Sequence, residues 1–459
     1  MKQRILWLAS LLLVACSSNT TATPDAASTD TGADTDVAVA VTDPLSMPAV
    51  PTLKSDSFPS ATTCKDCHAQ QFAEWNGSRH AYAAKDPVWE VLVGLRQKAE
   101  NGLQDRFCTQ CHSILGVRSG EIKPDFKFAD LSPTVMEGVT CAACHLSDSV
   151  ARTHNAGLTF AADGKMRGNL ADSQTTTAHG SVAGPHLAAD NFCPSCHDVI
   201  EINGLPLERP YEEWLDSPGT TKQLCQDCHM AKYDGQAATG GPQRKGLHSH
   251  RFIGLDPPGA ATGSDPTMQA IFAADRDQLL ASAAKVTLGS GALAAGQTLD
   301  VTVNIENLIK GHSLPTGTTF LRQCWLEVVA TDDAGKVLYE TGTLDANGDL
   351  RDRWSDLKPY DDHDLVSLSS SLIDAQGNPT LFPWLAVEHK RGALRSGESR
   401  TWTFFVPVPA DAKGSVHLTA RLRLRSFPPF LFRFAGAAAL IPTIVVYDLA
   451  KDATQVTLP

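Results

Sequence analysis

Two periods run along this chain, and the change between them falls near residue 284. Before it, apolar residues recur at helical spacing; after it, they alternate with polar ones. His68, Phe72 and Trp75 fall at i, i+4 and i+7, one face of a helix that Asn76-Gly77 should close. Asp86 has the chemistry of an N-cap, and Pro87 suits the first helical position after it. Val88, Val91, Leu92 and Leu95 then form the predicted buried stripe of a helix ending near Asn101-Gly102. Residues 146–190 are mostly Gly, Ala, Thr, Ser and Asp and predict a long coil. A further helix is expected from Asp265-Pro266 to about Ala284. Beyond it Leu299, Val301, Val303 and Ile305 alternate with polar neighbours. So do Val416, Leu418, Ala420, Leu422 and Leu424 with His417, Thr419, Arg421, Arg423 and Arg425. Asp332-Asp333-Ala334-Gly335 lies between two β-like runs as a hairpin turn. Residues 285–459 therefore read as an all-β, sandwich-like module.

The N-terminus is of another kind. Lys2 and Arg4 precede an apolar run from Ile5 to Ala15, the layout of an export signal. These eleven residues are too few for a helix to cross the hydrocarbon core, roughly 30 Å thick. The run closes on Leu13-Val14-Ala15-Cys16, which resembles the bacterial lipobox, where the cysteine is acylated and becomes the mature N-terminus. The plainer alternative is a secreted protein whose Cys16 leaves with its signal. Acyl chains on Cys16 would anchor the protein to a membrane without any transmembrane helix. Ser17 resembles the pattern of lipoproteins sent to the outer membrane, facing periplasm or cell surface. Residues 17–60, rich in Ser, Thr, Ala, Asp and Pro with no basic residue before Lys54, read as a disordered tether. The formal net charge of −12 lacks the basic footprint of a nucleic-acid binder. At 42% hydrophobic, the 459 residues can bury the cores of two or three domains.

The chemistry lies in five C-x-x-C-H motifs: Cys64/Cys67/His68, Cys108/Cys111/His112, Cys141/Cys144/His145, Cys193/Cys196/His197 and Cys225/Cys228/His229. In such a motif each thiol can add to a haem vinyl group, and the adjacent histidine reaches the iron from one side. Two thioethers fix the porphyrin edge beside the backbone, so the next side chain lies under the metal. Structural zinc commonly takes two C-x-x-C knuckles per ion, and five knuckles leave one unpaired. Disulfides suit an exported protein. Neither alternative explains a histidine after every second cysteine when histidine makes up only 15 of 459 residues. The motifs therefore read as five covalently bound haem c groups, attached outside the cytoplasm in keeping with the export signal.

Five irons want up to five more axial ligands, to be drawn from the other ten histidines. His363, His389 and His417 lie in the β module and read as surface residues. His80 follows the first helix in Trp75-Asn76-Gly77-Ser78-Arg79-His80, and His250 heads His250-Arg251-Phe252-Ile253-Gly254 in a loop that ligation would hold. His312 lies in the turn from Gly311 to Gly317 after the first alternating strand. His154, His179 and His186 rank with His312, and His248 trails. Against each stands the alternative of a solvated or backbone-bonded side chain. Methionine competes poorly: besides Met1 there are only Met47, Met136, Met166, Met230 and Met268. Paired imidazoles should dominate and hold the reduction potentials below those of His/Met iron. Cys324 is expected to behave as a buried small hydrophobe.

Several segments together resemble the multihaem cytochromes related to cytochrome c-554 and, more distantly, hydroxylamine oxidoreductase. They are the first motif followed by Trp75, Ser78 and His80; Gly138-Val139-Thr140 before the third motif; and Cys225 to Met230 followed by His250-Arg251-Phe252. The likeness covers about residues 61–255. The turn at Gly311–Gly317 and the β module resemble a C-terminal extension of exported multihaem cytochromes. The resemblance implies closely stacked haems, mostly with two axial histidines, passing electrons between redox partner proteins. It implies His80 and His250 as distal ligands. Five motifs rather than four depart from the pattern, and the absence of a C-x-x-C-K variant removes the lysine-ligated haem of pentahaem nitrite reductases. The expected architecture is α+β and multidomain. Signal and lipobox occupy 1–16, the tether 17–60, a haem-packed, mainly helical and coil pentahaem domain 61–284, and the sandwich-like domain 285–459. The expected function is a membrane-anchored electron relay. The alternatives are an oxidoreductase of a small nitrogen or sulfur compound at one open-coordinate haem, and a filament-forming module wired by its haems.

Overall fold

The computed structural model describes residues 35–37, 53–54, 57–103, 105–161, 163–218, 223–256, 263–292 and 294–458. The export signal and Cys16 lie outside the described residues. A helical and coil region comes first and a many-stranded β region follows.

Helix α1 (Ala69–Asn76) stops at Gly77, and α2 (Arg79–Tyr82) follows within one turn. Helix α3 (Pro87–Glu100) is capped by the Asp86 carboxylate, which accepts from the Val88 amide at 2.9 Å, and it ends where Asn101 turns left-handed at φ 52°. Its inward face is not the expected Val88, Val91, Leu92, Leu95 stripe, all of which are only partly buried. Val93 and Arg96 are the buried residues. Trp89 stacks on His112 and the Arg96 guanidinium meets a buried carboxylate, and these two pairings set the rotation of the helix.

The later helices are short. They are α4 (Asp105–His112), α5 (Ile114–Arg118), α6 (Cys141–His145), α7 (Pro194–His197), α8 (Pro210–Leu215), α9 (Cys225–His229) and α10 (Pro266–Ala281). Asp265 caps α10 by accepting from the Met268 amide at 3.0 Å. Four of these, α4, α6, α7 and α9, end on the histidine of a C-x-x-C-H motif, so each of those motifs closes a helical turn at its iron-facing residue.

Two expectations are corrected here. Residues 146–190 are not continuous coil: Ser147–Val150 pairs with Leu158–Phe160, and Lys165–Gly168 runs parallel to Gly180–Ala183. Strands of three or four residues are too short to show a period of two. Within the expected tether, Thr35–Val37 forms a strand, and Leu53 and Phe58 bury against Ile114 and Leu115.

The C-terminal strands are β1 (Ala284–Ser290), β2 (Thr298–Asn307), β3 (Gln323–Thr331), β4 (Val337–Thr341), β5 (Ser371–Asp374), β6 (Ala386–Lys390), β7 (Ser399–Pro407), β8 (Ser415–Arg425) and β9 (Tyr447–Thr457). One sheet has the order β1-β2-β7 and the other β4-β3-β8-β9. Leu299, Val301, Val303 and Ile305 of β2 face Leu326, Val328, Leu418 and Leu422 in one core, with Cys324 fully buried among them. This is a sandwich. Leu422→Ala should cost about 2–5 kcal/mol, seen as a lower midpoint in thermal unfolding.

A third, small sheet places Thr35–Val37 on β6 and β6 on β5. It adjoins an apolar cluster that joins the two halves: Leu205 and Leu207 pack with Phe320, Leu372, Ala386 and Leu431. His389 belongs to this junction and is 3% exposed, which corrects its reading as a surface residue. Its Nδ1 donates to the Pro206 carbonyl at 3.0 Å. Among the described residues no helix is long and apolar enough to cross a membrane.

Candidate functional site

The motif histidines are fixed through their backbone-side nitrogens. Nδ1 of His68 lies 2.7 Å from the Ala237 carbonyl, that of His145 2.6 Å from Arg167, that of His229 2.6 Å from Ile253 and that of His112 3.1 Å from Ala83. A carbonyl can only accept, so Nδ1 carries the proton in these four rings and Nε2 keeps its lone pair for a metal.

Four motif histidines face a second histidine. Ring centroids are 6.4 Å apart for His68 and His179, 6.2 Å for His145 and His250, 6.1 Å for His197 and His80, and 6.4 Å for His229 and His312. An imidazole nitrogen sits about 2.0 Å from a bound metal and about 1.2 Å from its own ring centre, so two rings on opposite sides of one metal have centroids about 6.4 Å apart. The spacing fits haem iron between paired imidazoles and is too long for direct ring stacking.

Each second histidine is held by its neighbours. The His80 carbonyl accepts from the Val139 amide at 3.0 Å, and Trp75 donates from Nε1 to the Val139 carbonyl at 2.7 Å. Gly138 has φ +77°, and a Cβ there would lie 2.6 Å from the His80 oxygen, so this close approach requires glycine. Glu74, 2% exposed, accepts from the His250 amide at 2.8 Å and pairs with Arg251 at 3.3 Å. His179 turns its Nδ1 toward the Gly180 carbonyl at 3.1 Å, and His312 toward that of Ser313 at 2.9 Å. Burial pushes the imidazoles of His80 and His250 down to about 3, and those of His197 and His312 to about 4. They therefore stay neutral, as metal ligation needs.

The second motif differs. The indole of Trp89 stacks on His112 with centroids 3.5 Å apart, and among the described residues no histidine ring faces it as the other four are faced. Beside Cys108 lies a buried ion pair: Arg96 Nη2 meets Glu201 at 2.8 Å, with side chains 4% and 2% exposed, and Arg96 Nη1 is 3.5 Å from the Cys108 sulfur. Of the other sequence candidates, His154 sits half-buried near Arg152 and Arg209. His186 Nε2 is 3.1 Å from the Ser147 hydroxyl, and His248 donates from Nδ1 to the Met230 carbonyl at 2.9 Å. None of the three faces a motif histidine.

Thiols of different motifs meet. Cys64 touches Cys141, Cys111 touches Cys196, and Cys193 touches Cys225, while Cys144 is near both Cys193 and Cys196. The ten motif cysteines differ in exposure, Cys67 and Cys228 being the exposed ones. The Thr239 amide donates to the Cys67 carbonyl at 2.7 Å. Lys65 and Asp66 beside it are exposed as well. The first and fifth motifs each turn one thiol to solvent, whereas those of the second, third and fourth are partly covered.

All eleven described cysteines are free of disulfides. No group of three or more His, Cys, Asp or Glu gathers round one point among the described residues. Glu74, Arg96, Glu201 and Glu213 escaped the sequence reading. A single charged residue on a polar helix position carries no mark of burial until its partner, distant in sequence, is placed beside it.

Residues 63–146 match the family model described as cytochrome c554 and c-prime. A penta-heme cytochrome c552 from Thermochromatium tepidum has a similar fold, at 19% identity and a TM-score of 0.61, covering 87% of this chain and 99% of that one. Spo0M, a sporulation control protein from Bacillus subtilis, aligns at 10% identity over 38% of this chain and 49% of its own, with a TM-score of 0.16, and carries no argument. No curated protein matches. With the five motifs, the first two findings support a multihaem c-type cytochrome.

Proposed function

We propose that this protein is an exported electron carrier that holds five haem c groups, one on each C-x-x-C-H motif, with four irons between paired histidines. The observation that carries this reading is the set of four histidine pairs at 6.1–6.4 Å. His179, His250, His80 and His312 would be the distal ligands of the first, third, fourth and fifth motifs. His154 and His186 are left out of the ligand set. Haem iron ligated in this way takes up and releases single electrons at low potential. The chain's own part is to hold the imidazoles neutral and opposed, to exclude water, and to keep the attachment sites adjacent. The net charge of −12 suits redox partners with cationic faces. The resemblance of Leu13–Cys16 to a lipobox supports an outer-membrane anchor through Cys16. Thr35–Val37 is paired to β6, so residues 17–34 would form the leash, at most about 60 Å when fully extended.

Electron paramagnetic resonance during a redox titration should resolve four low-spin, low-potential irons and one high-spin iron per chain. A mature chain whose mass includes no tetrapyrrole, made in a host competent for haem attachment, would sink the reading.

A second reading is favoured by one observation, the lack of a histidine facing His112 among the described residues. The second motif would then hold an iron with an open position, able to take a small nitrogen or sulfur compound. Ferrous protein should bind one equivalent of carbon monoxide, and the double change Cys108→Ala with Cys111→Ala, which removes the second attachment site, should abolish that binding. Turnover of nitrite or hydroxylamine would make the protein an enzyme, whereas binding without turnover would leave it a carrier.

A further inference from the structure

The ring that faces His229 comes from the β module. His312 lies between β2 and β3, and two sets of hydrogen bonds hold its loop. From within the β module, Asn307, fully buried at the end of β2, donates from Nδ2 to the His312 carbonyl at 3.1 Å and to the Leu394 carbonyl at 3.0 Å. Leu314 and Leu394 exchange backbone hydrogen bonds at 2.8 and 2.9 Å. These bonds tie the loop to its own sandwich but say nothing about where it meets the haem domain.

The second set crosses over. Glu213, in α8 of the haem domain, uses one carboxylate oxygen, Oε2, to accept from the Ser313 amide at 3.1 Å and from the Thr316 hydroxyl at 2.6 Å. Glu208 accepts from the Thr318 hydroxyl at 2.9 Å. Trp214, next to Glu213, lies against Gly311, where a Cβ would come 3.3 Å from its ring. His312 is thus gripped on both sides in sequence by α8, and Glu213 is the group that bonds the residue directly after it.

We propose that Glu213 is a positioning residue that holds the β-module loop so that His312 reaches the fifth iron, making the β module a working part of that haem site. This rests on the pairing of His312 with His229. The role of Glu213 needs an acceptor oxygen and no negative charge, because a single oxygen takes both bonds. Glutamine offers the same acceptor through its amide oxygen, whereas alanine leaves the Ser313 amide and Thr316 hydroxyl to water.

The test is carbon monoxide stoichiometry of the reduced holoprotein, with haem content measured alongside so that five haems certify an assembled chain. Glu213→Ala should raise bound carbon monoxide by one equivalent over the parent and add one high-spin ferric iron. Glu213→Gln should keep the parent value. Thr316→Val, which removes only one of the two bonds, should give a fractional rise. His312→Ala separates the two levels. If His312→Ala adds no equivalent, the His229–His312 pairing fails. If His312→Ala adds one while Glu213→Ala adds none, the pairing stands and the positioning role of Glu213 is overturned.

Discussion

Replacing His80 with alanine will add one high-spin iron per chain and slow the relay at its junction. Attachment is left to Cys193 and Cys196, which the change does not touch, so the haem content should match the parent's. The lost ligand faces His197, and the fourth motif is the one whose thiols meet those of three others: Cys196 meets Cys111, Cys193 meets Cys225, and both lie near Cys144. Were electrons to follow these neighbours, passage from the first and third sites to the second and fifth would cross it. A change in ligation at this point alters both the potential and the reorganisation needed for each crossing. An added barrier of about 1.4 kcal/mol suffices for a tenfold loss of rate, and a slowing of at least about tenfold is expected in stopped-flow reduction followed site by site. If the high-spin iron fails to appear, His80 is not a ligand.

The second large effect is expected at Glu201. Its carboxylate and the Arg96 guanidinium are both buried, and removing one partner of such a pair typically costs about 3–5 kcal/mol, because the other is left charged and unpaired. Glu100, which pairs with Arg96 at 2.7 Å and is 24% exposed, offsets part of this. Glu201→Ala should therefore lower the thermal midpoint sharply. The double change Arg96→Met with Glu201→Leu should recover most of it, since two apolar groups of similar size leave no orphan charge. The single variant has a local signature too. An uncompensated guanidinium beside Cys108 disfavours the more positive ferric state, so the potential of the second site should rise. A stability within about 1 kcal/mol of the parent would mean that water or Glu100 already shields Arg96.

How far the residues alone reveal the molecule depends on the range of the interaction concerned. Signals that act within one turn or one strand were legible: the Asp86 and Asp265 caps, the alternation in β2 and β8, and the turn at Asp332–Gly335, where the Asp332 carboxylate accepts from the Ala334 and Lys336 amides at 2.9 Å. The motif cysteines and histidines were legible because covalent chemistry demands fixed spacing. Of the seven candidate distal histidines, four face a motif histidine, and nothing near His179 in sequence sets it above His154 or His186. Its ring is chosen by a loop that returns to the first motif, a contact more than 100 residues long in the chain. The misread stripe of α3 and the buried His389 share this cause. Arg96 turns inward for Glu201 and His389 for Pro206, and no local period encodes either partner.

The thiol contacts carry one more consequence. Were the haems to follow these neighbours, a trunk would run from the first site through the third and fourth to the fifth, and Cys111 would join the second to it at the fourth. A molecule captured at His112's metal would thus occupy a side spur, and traffic along the trunk could continue past it. Such a layout would let the spur draw on charge arriving from either end of the trunk, a capacitor's arrangement in place of a resistor in series.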